Sequence, residues 1–157
     1  MRITKVKTFV IGGSWRNWVI VKLETDSGIH GIGEATLEGK ADSVRAAVGE
    51  LARYITGKNP STIEKHFQEM YRRAFYAGGE VLNSAISGVE TALWDLKGKS
   101  LGVPVYELLG GKTREKVKLY ANGWYKAGMS PDEKANSCHK RAPHTTAGPC
   151  QRAGTRV

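Results

Sequence analysis

Between Ser130 and Arg156 the chain contains no Val, Ile, Leu, Met, Phe, Trp or Tyr. Nothing in that stretch can form a core, which predicts disorder there. Cysteine is scarce too: Cys138 and Cys150 are the only two, and both lie in the same stretch. With His139 and His144 they offer two thiolates and two imidazoles, but zinc modules use tighter paired ligands and apolar residues to build around the metal. A zinc site is therefore not expected. The chain also lacks any run of eighteen apolar residues, which argues against a transmembrane helix. Its start, MRITKVKTFVIGG, alternates charged and apolar residues instead of building the apolar centre of a secretory signal. A cytoplasmic protein is the expectation.

Acidic residues are absent from Lys134 onward, where five bases stand alone. The formal net charge of +9 is concentrated there, because the first 133 residues carry 19 bases against 15 acids. That balance is ordinary for an enzyme domain and does not support a nucleic-acid binder. At 157 residues, with 40% hydrophobic and 25% charged residues, the chain suits one globular domain.

Apolar periodicity supplies the elements. Residues 2–11, rich in Thr, Val, Ile and Phe, read as a strand broken by Gly12-Gly13-Ser14. Trp18 to Thr25 alternates, with Val19, Val21 and Leu23 on one face, and Asp26-Ser27-Gly28 reads as a hairpin turn. His30 to Thr36 completes a three-stranded antiparallel meander. From Ala41 the period lengthens: Val44, Ala47, Val48, Leu51 and Ile55 form one helical stripe ending at Gly57. Pro60-Ser61 opens a second helix, with Ser61 and Glu64 spaced as a capping box. The strongest pattern runs from Val81 to Leu101, where Leu82, Ala85, Ile86, Val89, Ala92, Leu93 and Leu96 share a face. Gly102 and Pro104 stop that helix. A short helix over Val105 to Leu109 and a strand over Lys116 to Ala121 follow. Strands followed by helices predict an α+β fold, a three-stranded antiparallel meander followed by a helical bundle.

Several motifs fail on inspection. Gly111-Lys112-Thr113 resembles the end of a phosphate-binding loop, but the required earlier glycine is Tyr106. Gly31-Ile32-Gly33 would need a third glycine where Thr36 stands, and its flanks form a meander instead of a βαβ unit. No Ser/His/Asp set is identifiable, and His30 and His66 read as surface or packing residues. The loop GGSWRNW over Gly12 to Trp18 is richer. Arg16 can fork onto a carboxylate, Asn17 can donate and accept, and the indoles can exclude water.

Taken together, ITKVKTFVIGG, RNWVIVKLETDSGIHGIGEATLEGK, MYRRAFYAGG and SAISGVETALWDLKGKSLGVPVYELLGG resemble the enolase superfamily, in its mandelate racemase/muconate lactonizing enzyme branch. Within that branch the chain is similar to sugar-acid dehydratases of the galactonate or mannonate type, from Met1 to about Tyr125. The ALWDLKGK…GVPVYELLGG block is specific to the branch. The resemblance implies that 1–113 is an enolase-like N-terminal capping domain and that 114–129 starts a (β/α) barrel. Residues 130–157 read as a disordered, out-of-frame tail, an idea that sequencing the coding DNA would test.

In such dehydratases a base removes the proton α to a carboxylate, Mg²⁺ stabilises the enediolate, and the β-hydroxyl leaves as water. The resemblance places those groups on later barrel strands. A barrel needs about 250 residues, whereas 44 follow Thr113. The expectation is therefore a truncated, inactive piece of a Mg²⁺-dependent sugar-acid dehydratase, with no catalytic residues and no metal ligands of its own. Relatives of this kind are often homo-oligomeric, and neither membrane nor nucleic-acid partners are implied. The alternative is a stand-alone, non-enzymatic binding domain. What carries over is specificity: Arg16, Asn17 and Trp18, and Tyr76 on a second loop, match positions that face the sugar acid. The pattern FYRGGP usual in relatives is altered here, with Ala77 in place of Arg and Glu80 in place of Pro. Trp94 and Asp95 read as structural.

Overall fold

A computed structural model of the chain describes residues 1–13, 16–73, 75–117 and 128–141, giving the backbone only at 135 and 138–141. Met1–Gly111 forms one compact unit and Lys112–Val157 another. The first unit opens with β1 (Ile3–Gly12), β2 (Asn17–Thr25) and β3 (His30–Glu34), paired antiparallel in the order β1-β2-β3. Four helices follow: α1 (Ala41–Ile55), α2 (Ile63–Arg72), α3 (Glu80–Leu101) and α4 (Val105–Leu108). This is the α+β architecture, a three-stranded meander followed by helices, that the sequence pattern predicts, and it agrees with the capping domain that the resemblance implies.

Alternation along β2 fixes the two faces of the sheet. Val19, Val21 and Leu23 are fully buried beneath the helices, whereas Ile20, Lys22 and Glu24 are only half-buried. The register Val6–Leu23–Gly31 and Thr8–Val21–Gly33 defines the inner rows. On the inner face α3 packs on β2 and β3, and α1 packs on β1 and β2. Ala85, Ile86, Val89, Ala92, Leu93 and Leu96 of α3 meet Val44, Val48, Leu51 and Ile55 of α1 in one core. α2 adds Ile63 and Met70 against the flank of α3.

The approach of α3 to β3 is set by glycines. A Cβ on Gly33 would overlap the carbonyl oxygen of Gly88, and one on Gly31 would overlap that of Ala92. The Gly31-Ile32-Gly33 motif is thus a seat for a helix backbone. Asp95 on α3 pins the same seam: its Oδ2 accepts the Ile32 N–H at 2.8 Å and the Lys99 ammonium at 2.6 Å. Lys99 also donates to the His30 carbonyl at 3.0 Å. Asp95 thus has the structural role expected of it. At its C-terminus α3 closes in a Schellman turn, with Gly102 at φ 72° and the Val103 N–H donating to the Gly98 carbonyl at 3.0 Å.

On the outer face Glu24 Oε1 lies 2.7 Å from Lys7 Nζ and 3.4 Å from Lys22 Nζ. The Lys7 hydrogen bond holds the Glu24 carboxyl below its ordinary value of 4.5, with partial burial opposing and Lys22 assisting. A depressed carboxyl pKa contributes stability above the unfolded value, and that stability is lost as pH falls through the folded value. Glu24→Gln should therefore flatten the decline of Tm below about pH 4.5 relative to the parent chain, as read by thermal melts across an acid pH series. Equal slopes for the two proteins would contradict the assignment.

Two local expectations need correction. The Ser61/Glu64 capping box does not form. Asn59 Oδ1 takes the Ser61 N–H at 3.0 Å, the helix starts at Ile63, and Glu64 accepts from Gln68 instead. In the second unit, where the composition predicts no regular structure, α5 (Pro131–Arg141) is helical. Its start explains it: Ser130 N–H donates to Glu133 Oε2 at 2.8 Å and Glu133 N–H donates to Ser130 Oγ at 3.3 Å. That is a reciprocal capping box, followed by Pro131 at a position that suits it. The strand expected over 116–121 falls, apart from Lys116 and Val117, outside the described residues, and those two are not in a strand. Among the described residues no helix is long and apolar enough to cross a membrane.

Candidate ligand-binding cleft

Gly13, Arg16 and Asn17, near the end of β1 and the start of β2, line a cleft of about 470 Å³ with Leu37 and residues 39–43, between β3 and the first turn of α1. Arg16, Asn17, Leu37, Lys40, Asp42 and Ser43 are among its walls. Two hydrogen bonds at one residue of β2 hold these segments together. The Ala35 N–H donates to the Val19 carbonyl at 2.8 Å, and the Val19 N–H donates to Thr36 Oγ1 at 3.0 Å. The chain then turns, with Lys40 N–H donating to the Leu37 carbonyl at 3.1 Å, and enters α1. Strand pairing and this turn bring segments distant in sequence to one opening.

Arg16 lies with its guanidinium carbon 3.9 Å from the centre of the Trp18 ring. Its Nη1 approaches Glu38 Oε1 at 3.4 Å. The Arg16 side chain is 26% exposed, whereas Glu38, which is not part of the cleft lining, is 63% exposed. Asn17, exposed, opens β2 opposite Gly12. Among the described residues no side chain caps the first turn of α1, whose amides carry partial positive charge toward the same opening. Asp42, at that turn, is paired to Arg45 at 3.0 Å. The chemistry on offer is cationic and amide donors from Arg16, Lys40 and the first turn of α1 beside two carboxylates, Asp42 paired to Arg45 and Glu38 paired to Arg16. That mix can meet an anionic group and hydroxyls together.

The four sequence-predicted residues are thus only partly brought together. Arg16 and Asn17 line the cleft. Trp18 lies beneath Arg16 and is not part of the cleft lining. Tyr76 sits elsewhere, on the α2–α3 loop, 86% exposed beside Phe75 at 96%, with the rings edge-to-face at 5.1 Å. Sequence reasoning missed Lys40 and Glu38, although Leu37-Glu38-Gly39-Lys40 marks a charged, glycine-containing entry to a helix. His66 is 3% exposed and fully engaged in packing, and His30 is exposed on β3.

Residues 5–110 match the family model for the mandelate racemase/muconate lactonizing enzyme N-terminal domain. The chain belongs to that family. Within the mandelate racemase/muconate lactonizing enzyme family it is 53% identical, over 120 residues, to a D-galactonate dehydratase of Xanthomonas campestris pv. campestris strain B100. The match covers 76% of this chain and 31% of that protein, so the chain spans about a third of the relative's length. Among solved structures, a putative dehydratase from Mesorhizobium loti superposes with a TM-score of 0.82 at 43% identity, covering 87% of this chain and 38% of that one. An enolase from Pantoea ananatis with bound D-gluconate and Mg gives a TM-score of 0.78 at 37% identity, over 89% and 34% of the two chains.

The metal that such relatives carry can be tested against the donors present here. Among the described residues no three His, Cys, Asp or Glu side chains come together in a way that could hold a metal ion. The described residues do not fit as ligands for Mg²⁺.

Proposed function

We propose that this chain is the capping part of a sugar-acid dehydratase, supplying recognition of an aldonic acid and not the elimination chemistry. The observation that carries the reading is the convergence of Arg16 and Asn17 on one cleft. It is supported by relatives named for D-galactonate and by a similar structure with bound D-gluconate. Arg16 and Asn17 donate to the oxygens of the sugar acid. Trp18 backs Arg16, and Tyr76 approaches the same substrate from a second loop when the cap lies over a barrel. Removal of the α-proton and loss of the β-hydroxyl belong to residues of such a barrel, and the 157 residues alone do not catalyse them.

Two measurements on the purified chain test this. Titration with D-galactonate, followed by amide chemical shifts, should move resonances of Arg16, Asn17 and Lys40. An assay for the 2-keto-3-deoxy product, with Mg²⁺ and D-galactonate present, should give none. Turnover by the pure chain would contradict the division of labour. Shifts confined to residues away from the cleft would contradict the binding site.

A further inference from the structure

We propose that Glu38 and Trp18 are positioning residues that set the Arg16 guanidinium at the mouth of the cleft before any ligand arrives; this rests on the reading of the cleft as the sugar-acid site. The two act from different sides. The Trp18 ring offers its face at 3.9 Å, and Glu38 Oε1 approaches Nη1 at 3.4 Å. Their placement is not incidental to a loose surface. Trp18 is the second residue of β2, and the segment that leads to Glu38 is bolted to β2 by the two hydrogen bonds at Val19. Platform and carboxylate are therefore held by one strand, and Arg16 immediately precedes that strand.

An arginine carries large rotamer freedom, and ordering it on binding weakens affinity. Holding it beforehand removes that cost, which is how a contact that never touches the ligand strengthens binding. The size of the effect follows from the partners. An ion pair with an exposed carboxylate is weak, so losing Glu38 should weaken ligand binding by about two- to fivefold. Losing the aromatic face should weaken it by about threefold or more. Phe in place of Trp18 keeps a ring face and should recover part of that loss.

The experiment uses the complete chain and D-galactonate as probe, with affinity from NMR titration, Tm from thermal melts, and the Arg16 Nε–H resonance as a positional signal. A guanidinium above an indole experiences its ring current, so the parent resonance should be shifted upfield. Glu38→Ala should reduce that shift and weaken D-galactonate binding by the factor given above, with Tm unchanged. Glu38→Gln, whose amide oxygen still accepts from the guanidinium, should restore part of both. Trp18→Leu should abolish the shift, and Trp18→Phe should retain some of it. If Arg16→Ala weakens binding while Glu38→Ala and Trp18→Leu leave affinity and resonance unchanged, the positioning role is wrong and the cleft assignment stands. If D-galactonate binding is absent, or indifferent to Arg16→Ala, the cleft assignment fails and takes this inference with it.

Discussion

Gly33→Ala should destabilise the chain by about 3 kcal/mol or more, whereas Gly49→Ala should stabilise it by about 0.5–1 kcal/mol. Both substitutions add one methyl group, and the structure gives them opposite signs. The new Cβ at Gly33 would overlap the Gly88 carbonyl oxygen and come within 2.8 Å of the Ala92 amide nitrogen. Both atoms belong to the backbone of α3, so no rotamer change can clear the space. The helix must lift off the sheet, and its lift opens the packing of Val89, Ala92 and Leu93, all fully buried. Gly49 lies exposed within α1, and a Cβ there meets no atom within 4 Å. Alanine at that site restricts the unfolded chain and improves helix propensity without strain. Urea unfolding of the two variants beside the parent measures both changes. A near-neutral Gly33→Ala would mean that α3 does not seat closely on β3.

The same seam shows what was legible in the sequence. The stripe from Leu82 to Leu96 recurs at helical spacing, and its apolar members except Leu82 are buried. Val19, Val21 and Leu23 alternate, and all three are buried. Those elements are readable because periodicity records which side faces a core. The capping boxes were not readable from spacing alone. Ser61 and Glu64 have the right separation but lose the contest to Asn59, whose side chain takes the Ser61 amide. Ser130 and Glu133 have the same separation and do make the box. A three-residue spacing permits the hydrogen bonds, and the neighbouring acceptor decides whether they form.

The cleft was legible only on one side. Arg16, Asn17 and Trp18 stand out because Arg, Asn and Trp cluster between two strands. Glu38 and Lys40 carry no comparable signal, since isolated charges before a helix are common on any surface. Their relevance arises from strand register: pairing of β2 with β3 returns the chain to within reach of the first loop. Tyr76 shows the reverse case. It is conspicuous in sequence, yet within this unit it lies on the α2–α3 loop and does not line the cleft.

His66→Leu should cost about 1–3 kcal/mol, because it removes the hydrogen bonds that the buried imidazole makes to half-buried Tyr54 and to the Asn59 carbonyl. The imidazole of His66 is 3% exposed and engaged at both nitrogens. Nε2 lies 2.7 Å from the Asn59 carbonyl, which can only accept, so that nitrogen carries the proton. Nδ1, 3.0 Å from the Tyr54 hydroxyl, is then the acceptor, and Tyr54 donates. Thr62 Oγ1, at 3.2 Å from Nε2, completes the set. This network ties the end of α1 to the start of α2 and fixes the turn between them. Leucine fills much of the volume but satisfies neither Asn59 nor Tyr54, while His66→Gln, able to donate to the Asn59 carbonyl, should lose less. Tyr54 adds a pH signature. Burial, then Glu69, push its hydroxyl pKa above the ordinary value of 10.0, with Arg73 opposing. The folded state therefore holds that proton more tightly than the unfolded state, and stability should fall as pH rises above about 10. Tyr54→Phe should remove that alkaline decline while lowering stability at neutral pH, where the hydrogen bond to Nδ1 is intact. Thermal melts of His66→Leu, His66→Gln and Tyr54→Phe from about pH 7 to 11 check all three. An alkaline slope unchanged in Tyr54→Phe would show that the hydroxyl is not the titrating group, and an unperturbed Tm in His66→Leu would remove the network from the account of what holds α1 and α2 together.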